Sequence, residues 1–159
     1  MNVLIGLDPG ITGAVAIIDA NGARVFDLPV RVSGQGIVKR ELDAGALATL
    51  LDRELPNVGH RRAILERTSA RPGQGVASMF SMGVSRGVIL GVLAGLAVSC
   101  REAPPFAWKK HFRLLGESKA ASIALACELF PELAQTRLAR VKDHNRAEAL
   151  LLARYLETF

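Results

Sequence analysis

The stretch VLIGLDPGITGAVAIIDANGARVFDL, residues 3–28, decides how the rest of the chain is read. Val3 to Leu7 is a short apolar run of the kind a buried strand carries, and Asp8-Pro9-Gly10 breaks it. Gly13 to Asp19 is a second run, Ala20-Asn21-Gly22 a hairpin turn, and Ala23 to Leu28 a third run. Two hairpin-linked strands beside a neighbour make the antiparallel half of a sheet.

Outward from this hairpin the periodicity changes. Val30 to Val38 reads as a Gly- and Ser-containing loop. Leu42, Leu47, Leu50 and Leu51 then recur at helical spacing, with Asp43 near the start and Pro56-Asn57 at the close. Ala63-Ile64-Leu65 is a short strand ending at Glu66, and Thr68 to Gly75 is a polar loop. Val76 to Leu96 is a long helix on which Gly83, Gly87, Gly91 and Gly95 form a nearly straight stripe. Each glycine costs about 1 kcal/mol relative to alanine in a helix interior, so a closely packed neighbour should compensate. That neighbour is either the sheet of the same chain or a helix of a second copy.

Val98 to Glu102 is a further strand, and after Pro104-Pro105 a basic, partly aromatic segment opens with Trp108-Lys109-Lys110. Ser118 to Leu129 reads as a helix, and Gln135 to Lys142 as a basic loop or short helix. Asn145 to Leu156 is a closing helix with Ala149, Leu150, Leu152, Ala153 and Leu156 on its apolar side. Strands first, then strands alternating with helices, predict a mixed α/β sheet flanked by helices, with one domain over residues 1–159.

Composition bounds the function. A chain of 159 residues can bury roughly 70% of its unfolded surface, and 50% hydrophobic against 22% charged residues excludes intrinsic disorder. Cys100 and Cys127 fit neither a CxxC site nor a disulfide framework, which points to a reducing cytoplasm. The apolar run Val88 to Ala97 is too short to span a bilayer, and Asp8 interrupts the N-terminal apolar stretch, so a soluble protein without a membrane partner is expected. The net charge of +5 is unevenly spread. Residues 61–119 hold ten Lys/Arg against three acids, a segment of +7, which leaves −2 for the remainder. Basic residues gathered beside acids suit phosphate positioning.

Several acids stand at the edges of elements. Asp8 and Glu66 each end an apolar strand, while Asp143 and Glu148 bracket the start of the last helix. Singly, Asp8 reads as a turn aspartate, Glu66 as a solvated strand end, and Asp143 as a helix cap. Glu148 is harder to set aside, since it lies in Ala147-Glu148-Ala149-Leu150-Leu151-Leu152 and an acid on so apolar a helix needs a partner. Together they can converge across one sheet edge. Oxygen ligands suit hard cations such as Mg²⁺ or Mn²⁺, and there is no Cys/His cluster for zinc.

The order of these residues is similar to that of the RuvC-type Holliday-junction resolvases of the RNase H-like superfamily, in particular the phage and prophage members. Leu4 to Gly13 resembles the first motif, Ala63-Ile64-Leu65-Glu66 the second, and Arg86-Gly87-Val88 a step of the long helix that follows. Lys109 and Lys119 resemble the basic third motif, and Asp143-His144-Asn145-Arg146-Ala147-Glu148-Ala149-Leu150 the last. The resemblance runs from residue 3 to about 155.

It implies an RNase H-like mixed five-stranded sheet with helices on both faces, acting as a homodimer on four-way branched DNA in the cytoplasm of a bacterial or phage-infected cell. Asp8, Glu66, Asp143 and Glu148 would hold two Mg²⁺ ions, with Mn²⁺ as a substitute. Lys119 would contact the scissile or a neighbouring phosphate, and Arg67, Arg71, Gln74, Lys109 and Lys110 the DNA. No nucleotide cofactor is implied. Paired nicks would leave 5′-phosphate and 3′-hydroxyl ends.

Two departures matter. Asp143 and Glu148 are five residues apart, about 140° out of alignment on a helix, where bacterial members space the two late acids by three. Asn145 takes the three-residue position and His144 lies four before Glu148, so either could stand in for Asp143. The loop after Glu66 also lacks an aromatic residue, offering Arg67, Arg71 and Gln74 instead. Two rival functions remain open: an RNase H-fold ATP-dependent phosphotransferase, for which 159 residues are short, and a non-catalytic junction-binding protein.

Overall fold

A computed structural model describes residues 2–33, 40–57, 59–69 and 72–159; Arg71 and part of the loop read over Val30 to Val38 lie outside them. In chain order the elements are β1 (Asn2–Asp8), β2 (Ala14–Asp19), β3 (Gly22–Asp27), β4 (Val30–Val32), β5 (Arg40–Leu42), α1 (Ala44–Glu54) and β6 (His60–Glu66). There follow α2 (Val76–Gly95), β7 (Ser99–Ala103), α3 (Pro105–His111), α4 (Lys119–Leu129), α5 (Pro131–Ala134) and α6 (His144–Tyr155).

The main sheet has five strands in the order β3-β2-β1-β6-β7. β1, β2 and β3 pair antiparallel, as the hairpin predicts, while β6 runs parallel to β1 and β7 parallel to β6. Alternation sorts each strand between two cores. Val3, Ile5 and Leu7 of β1, with Ala63 and Leu65 of β6, pack with Leu47 and Leu51 of α1 and Ile89 and Leu93 of α2. Leu4 and Ile64 face the other way, with Trp108, Ala126 and the apolar residues of α6. Helices therefore cover both faces, the RNase H-like arrangement.

Parity has a consequence for the site. Asp8 shares the face of Leu4, and Glu66 that of Ile64, so both carboxylates emerge on the α6 side of the sheet. The parallel register pairs Gly6 with Ile64 and Leu7 with Leu65, and one further step sets Asp8 beside Glu66. Gly6 brings the third acid near. A Cβ there would lie 2.0 Å from the carbonyl oxygen of Ala149 and 2.4 Å from the amide nitrogen of Ala153, both in α6. Only glycine lets that helix lie directly on β1.

Two segments differ from expectation. The start of the Val30–Val38 loop is β4, which pairs antiparallel with β5 from Val30 opposite Leu42 to Val32 opposite Arg40. Three residues, all of them exposed in β4, are too few to carry a readable period. The basic segment after Pro104 is helix α3. Pro105 presets its first turn, and Lys109, Lys110 and His111 at its end complement the helix dipole.

The glycine stripe of α2 also resolves one way. Cβ atoms added at Gly83, Gly87, Gly91 and Gly95 would meet nothing within 4 Å, so the sheet is not the neighbour that compensates for them. The helix turns Ser85, Ile89 and Leu93 inward and leaves Val76 and Phe80 exposed. Its 20 residues are long and apolar enough to cross a bilayer by length and composition, beyond the ten-residue run read from the sequence.

Candidate active site

The carboxyl ends of parallel strands are where open α/β sheets place their ligands, and here β1 and β6 end on Asp8 and Glu66. Asp8 is 8% exposed. Burial, then the charge of Glu66 and then that of Glu148, push its carboxyl well above the usual range, while Lys109 and Lys119 draw it back. Asp8, Glu66 and Glu148 thus share one electrostatic neighbourhood with two lysines. Three acids come from β1, β6 and α6, and the two cations from α3 and the first turn of α4.

Each flanking acid is already engaged. The indole Nε1–H of Trp108 donates to Oε1 of Glu66 at 2.9 Å. The Lys109 ammonium lies 3.1 Å from Oε1 of Glu148, which is 13% exposed. Lys119 points its ammonium at Nε2 of His144, 3.0 Å away, and must be the donor because it has no lone pair. His144 is therefore coupled to the lysine end of the cluster rather than to a carboxylate.

Asp143 goes elsewhere. Buried at 3% exposure, it accepts from the Arg140 side chain, with Nη2 at 2.8 Å, and from the Arg140 amide at 3.0 Å. Arg146 adds an ion pair at 3.4 Å and extends the network to Asp27. The Arg140 guanidinium holds the Asp143 carboxyl below its ordinary value. Asp143 ends the 3-10 turn Val141–Asp143 just before α6, and it is not among the charges that act on Asp8. Asn145 is likewise occupied, donating to the carbonyl of Thr12 and so tying the start of α6 to the loop after Asp8. Gly13 closes that loop, where a Cβ would strike the carbonyl oxygen of Asp8 at 2.1 Å.

An open groove of about 540 Å³ leads away from Glu66, lined by Arg67, Ser69, Gln74 and Pro105 among others. Arg67 stays 56% exposed and reaches Glu102 only at 3.8 Å, whereas Arg86 grips Glu102 closely. Gln74 bonds to Ser78 and Met82 at the start of α2. Lys110 is exposed on the last turn of α3. These positive and polar groups border the acid cluster, as the charge arithmetic predicts.

The donor set fits a hard divalent cation. Three carboxylates, one of them buried and destabilised by its neighbours, favour positive charge at their centre, and hard cations take oxygen ligands. Among the described residues no three His, Cys, Asp or Glu side chains are drawn into one coordination sphere. Lys109 and Trp108 occupy an oxygen each of Glu148 and Glu66 instead. Nothing in the residues around Trp108 signals its bond to Glu66, and full burial of the indole excludes stacking on a base.

No protein-family model matches the chain. It is 36% identical, in an alignment of length 147 that covers 81% of this chain and 17% of that protein, to the chloroplastic Holliday junction resolvase MOC1 of Chlamydomonas reinhardtii. Its fold matches RuvC of T. thermophilus in complex with a Holliday junction substrate, with a TM-score of 0.58 and 17% identity, covering 99% of this chain and 96% of that one. A second Thermus thermophilus RuvC structure matches with a TM-score of 0.58 and 18% identity, covering 98% and 96%.

Proposed function

We propose that this chain, homologous to a Holliday junction resolvase and built on the RuvC fold, is a metal-dependent endonuclease that resolves four-way DNA junctions by paired nicks. The observation that carries this reading is the convergence of Asp8, Glu66 and Glu148 with Lys109 and Lys119 at the carboxyl ends of β1 and β6. Asp8, Glu66 and Glu148 would hold Mg²⁺ or Mn²⁺, in a pair if His144 or a phosphate oxygen completes the second site. The bound ions would supply an activated water and neutralise charge on the leaving oxygen.

The chain's own residues do the rest. Asp8, rigid at the end of a central strand, sets the position of the reaction centre. Lys119 offsets charge that builds on the phosphate as water attacks phosphorus and the P–O3′ bond breaks. The 3′-oxygen takes up a proton, leaving a 3′-hydroxyl and a 5′-phosphate. Lys109 would exchange Glu148 for the DNA backbone, and Arg67 and Gln74 along the groove, with Lys110 on the last turn of α3, would extend that contact. Arg71, which lies between Arg67 and Gln74 in the sequence, is assigned the same role. Asp143 serves as an anchor for the start of α6 rather than as a ligand.

A homodimer suits the substrate, because a two-fold axis presents two such centres to two strands. The apolar helix α2, with its glycines open to approach, is the surface we assign to it. Free Cys100 and Cys127 fit the reducing interior of a bacterial or phage-infected cell.

The test uses labelled four-way junction, three-way junction and linear duplex, each with Mg²⁺ and with chelator. Symmetric nicks in the four-way substrate that vanish with chelator are expected. Tight junction binding that is indifferent to Mg²⁺ and never yields a nick would instead establish a binding protein.

A further inference from the structure

Trp108 and Lys109 are consecutive residues of α3, yet they meet two acids from different elements, Glu66 of β6 and Glu148 of α6. The Lys109 contact is exposed enough to exchange with water or DNA. The Trp108 contact is not, since the indole is 0% exposed and packed in the core between the sheet and α6. A buried indole N–H needs an acceptor, and Glu66 is within hydrogen-bond reach while its side chain reaches the sheet edge. Glu66 has three rotatable side-chain bonds, and a hydrogen bond from a fully buried donor narrows the positions its carboxylate can sample.

We propose that Trp108 is a positioning residue: its indole N–H holds Oε1 of Glu66 and thereby turns Oε2 toward Asp8 as a preset cation ligand. This inference rests on the metal-site reading above. Partners of this kind orient ligands and typically contribute 10–100-fold to metal affinity. The indole also places α3 against the sheet, so the same helix that fixes Glu66 presents Lys109 to Glu148. Lys109 further lies 5.1 Å from the centre of the Trp108 ring, which supports the ammonium over an electron-rich face.

The test isolates the donor from the packing. Trp108→3-benzothienylalanine keeps the shape of the side chain and replaces the N–H by sulfur. Mn²⁺ binding to DNA-free protein is followed by the loss of the free-ion electron paramagnetic resonance signal. The variant is expected to keep the wild-type melting temperature and junction KM, to bind Mn²⁺ about 10–100-fold more weakly, and to show a reduced kcat that excess Mn²⁺ restores. Wild-type Mn²⁺ affinity in a folded variant would overturn the role of Trp108 alone. Should the variant not fold, the wild-type protein gives the answer. The chain has one tryptophan, so a single indole N–H cross-peak is followed as Mg²⁺ is added. A shift that Glu66→Gln abolishes is expected, and a cross-peak unmoved at saturating Mg²⁺ would overturn the proposal. Full Mn²⁺ affinity in Glu66→Gln would overturn the metal-site reading itself, and this inference with it.

Discussion

Gly6→Ala adds one methyl group to β1, yet it tests the contact on which the site depends. The new Cβ would lie 2.0 Å from the carbonyl oxygen of Ala149, 2.4 Å from the amide nitrogen of Ala153 and 3.0 Å from its Cα. All three are backbone atoms, so no side chain can swing aside. Restoring an ordinary contact of about 3.4 Å moves α6 away from the sheet by about 1.4 Å. Overpacking costs typically about 1–3 kcal/mol, and a clash that only helix displacement relieves belongs at the upper end. For a chain of this length that lowers Tm by roughly 6–12 °C. Glu148 immediately precedes Ala149 and moves with it, and a shift of about 1 Å at a catalytic group can cost about 10²-fold. Single-turnover cleavage of a labelled four-way junction, measured well below the variant's Tm, separates the two effects. A Gly6→Ala protein with wild-type Tm and wild-type cleavage would refute the claim that direct contact between α6 and β1 builds the site.

Asp8→Asn is expected to abolish cleavage, keep junction binding in a gel-shift assay, and raise Tm by a few degrees in chelator, because a buried charge pressed by Glu66 and Glu148 is removed. Asp143→Asn should do the reverse, lowering Tm while leaving the cleavage rate within a few-fold of wild type; loss of cleavage in a folded variant would return Asp143 to the ligand set. Stability should fall on acidification below about pH 4. Arg24, Arg146 and Arg140 hold Asp19, Asp27 and Asp143 below their ordinary 3.8, so each stabilises the fold above that value and ceases to as pH drops through its lowered pKa. Asp8 has the opposite sign and gains stability as it protonates, so Tm in chelator should hold or rise between pH 7 and pH 5, read by circular dichroism. Gly87→Ala with Gly91→Ala should raise the stability of α2, since neither Cβ meets an atom and each exchange gains up to about 1 kcal/mol of helix propensity. The same pair should weaken self-association by sedimentation equilibrium if copies pack through these glycines, and an unchanged dimer would move the interface elsewhere.

Local pattern carried much of this protein. The run Val3 to Leu7, the turn at Asn21-Gly22 and the strand ending at Glu66 were readable because burial imposes a period on a strand and a tight turn imposes residue types. Parity then placed Asp8 and Glu66 on one face once β1 and β6 were neighbours. What lay beyond the sequence was any choice among partners of similar chemistry. Asp143 and Glu148 are both acids near one helix start, and only packing shows that Arg140 and Arg146 take the first while the second meets Lys109 beside Asp8. The seven residues of α3 are too few to reveal a period, so the bond from Trp108 to Glu66, across 42 positions, left no mark on either segment. Gly6 read as part of a motif, and its necessity appeared only when α6 lay against it. Periodicity is a property of a segment and its sequence displays it; a contact between distant segments exists only after the chain has folded.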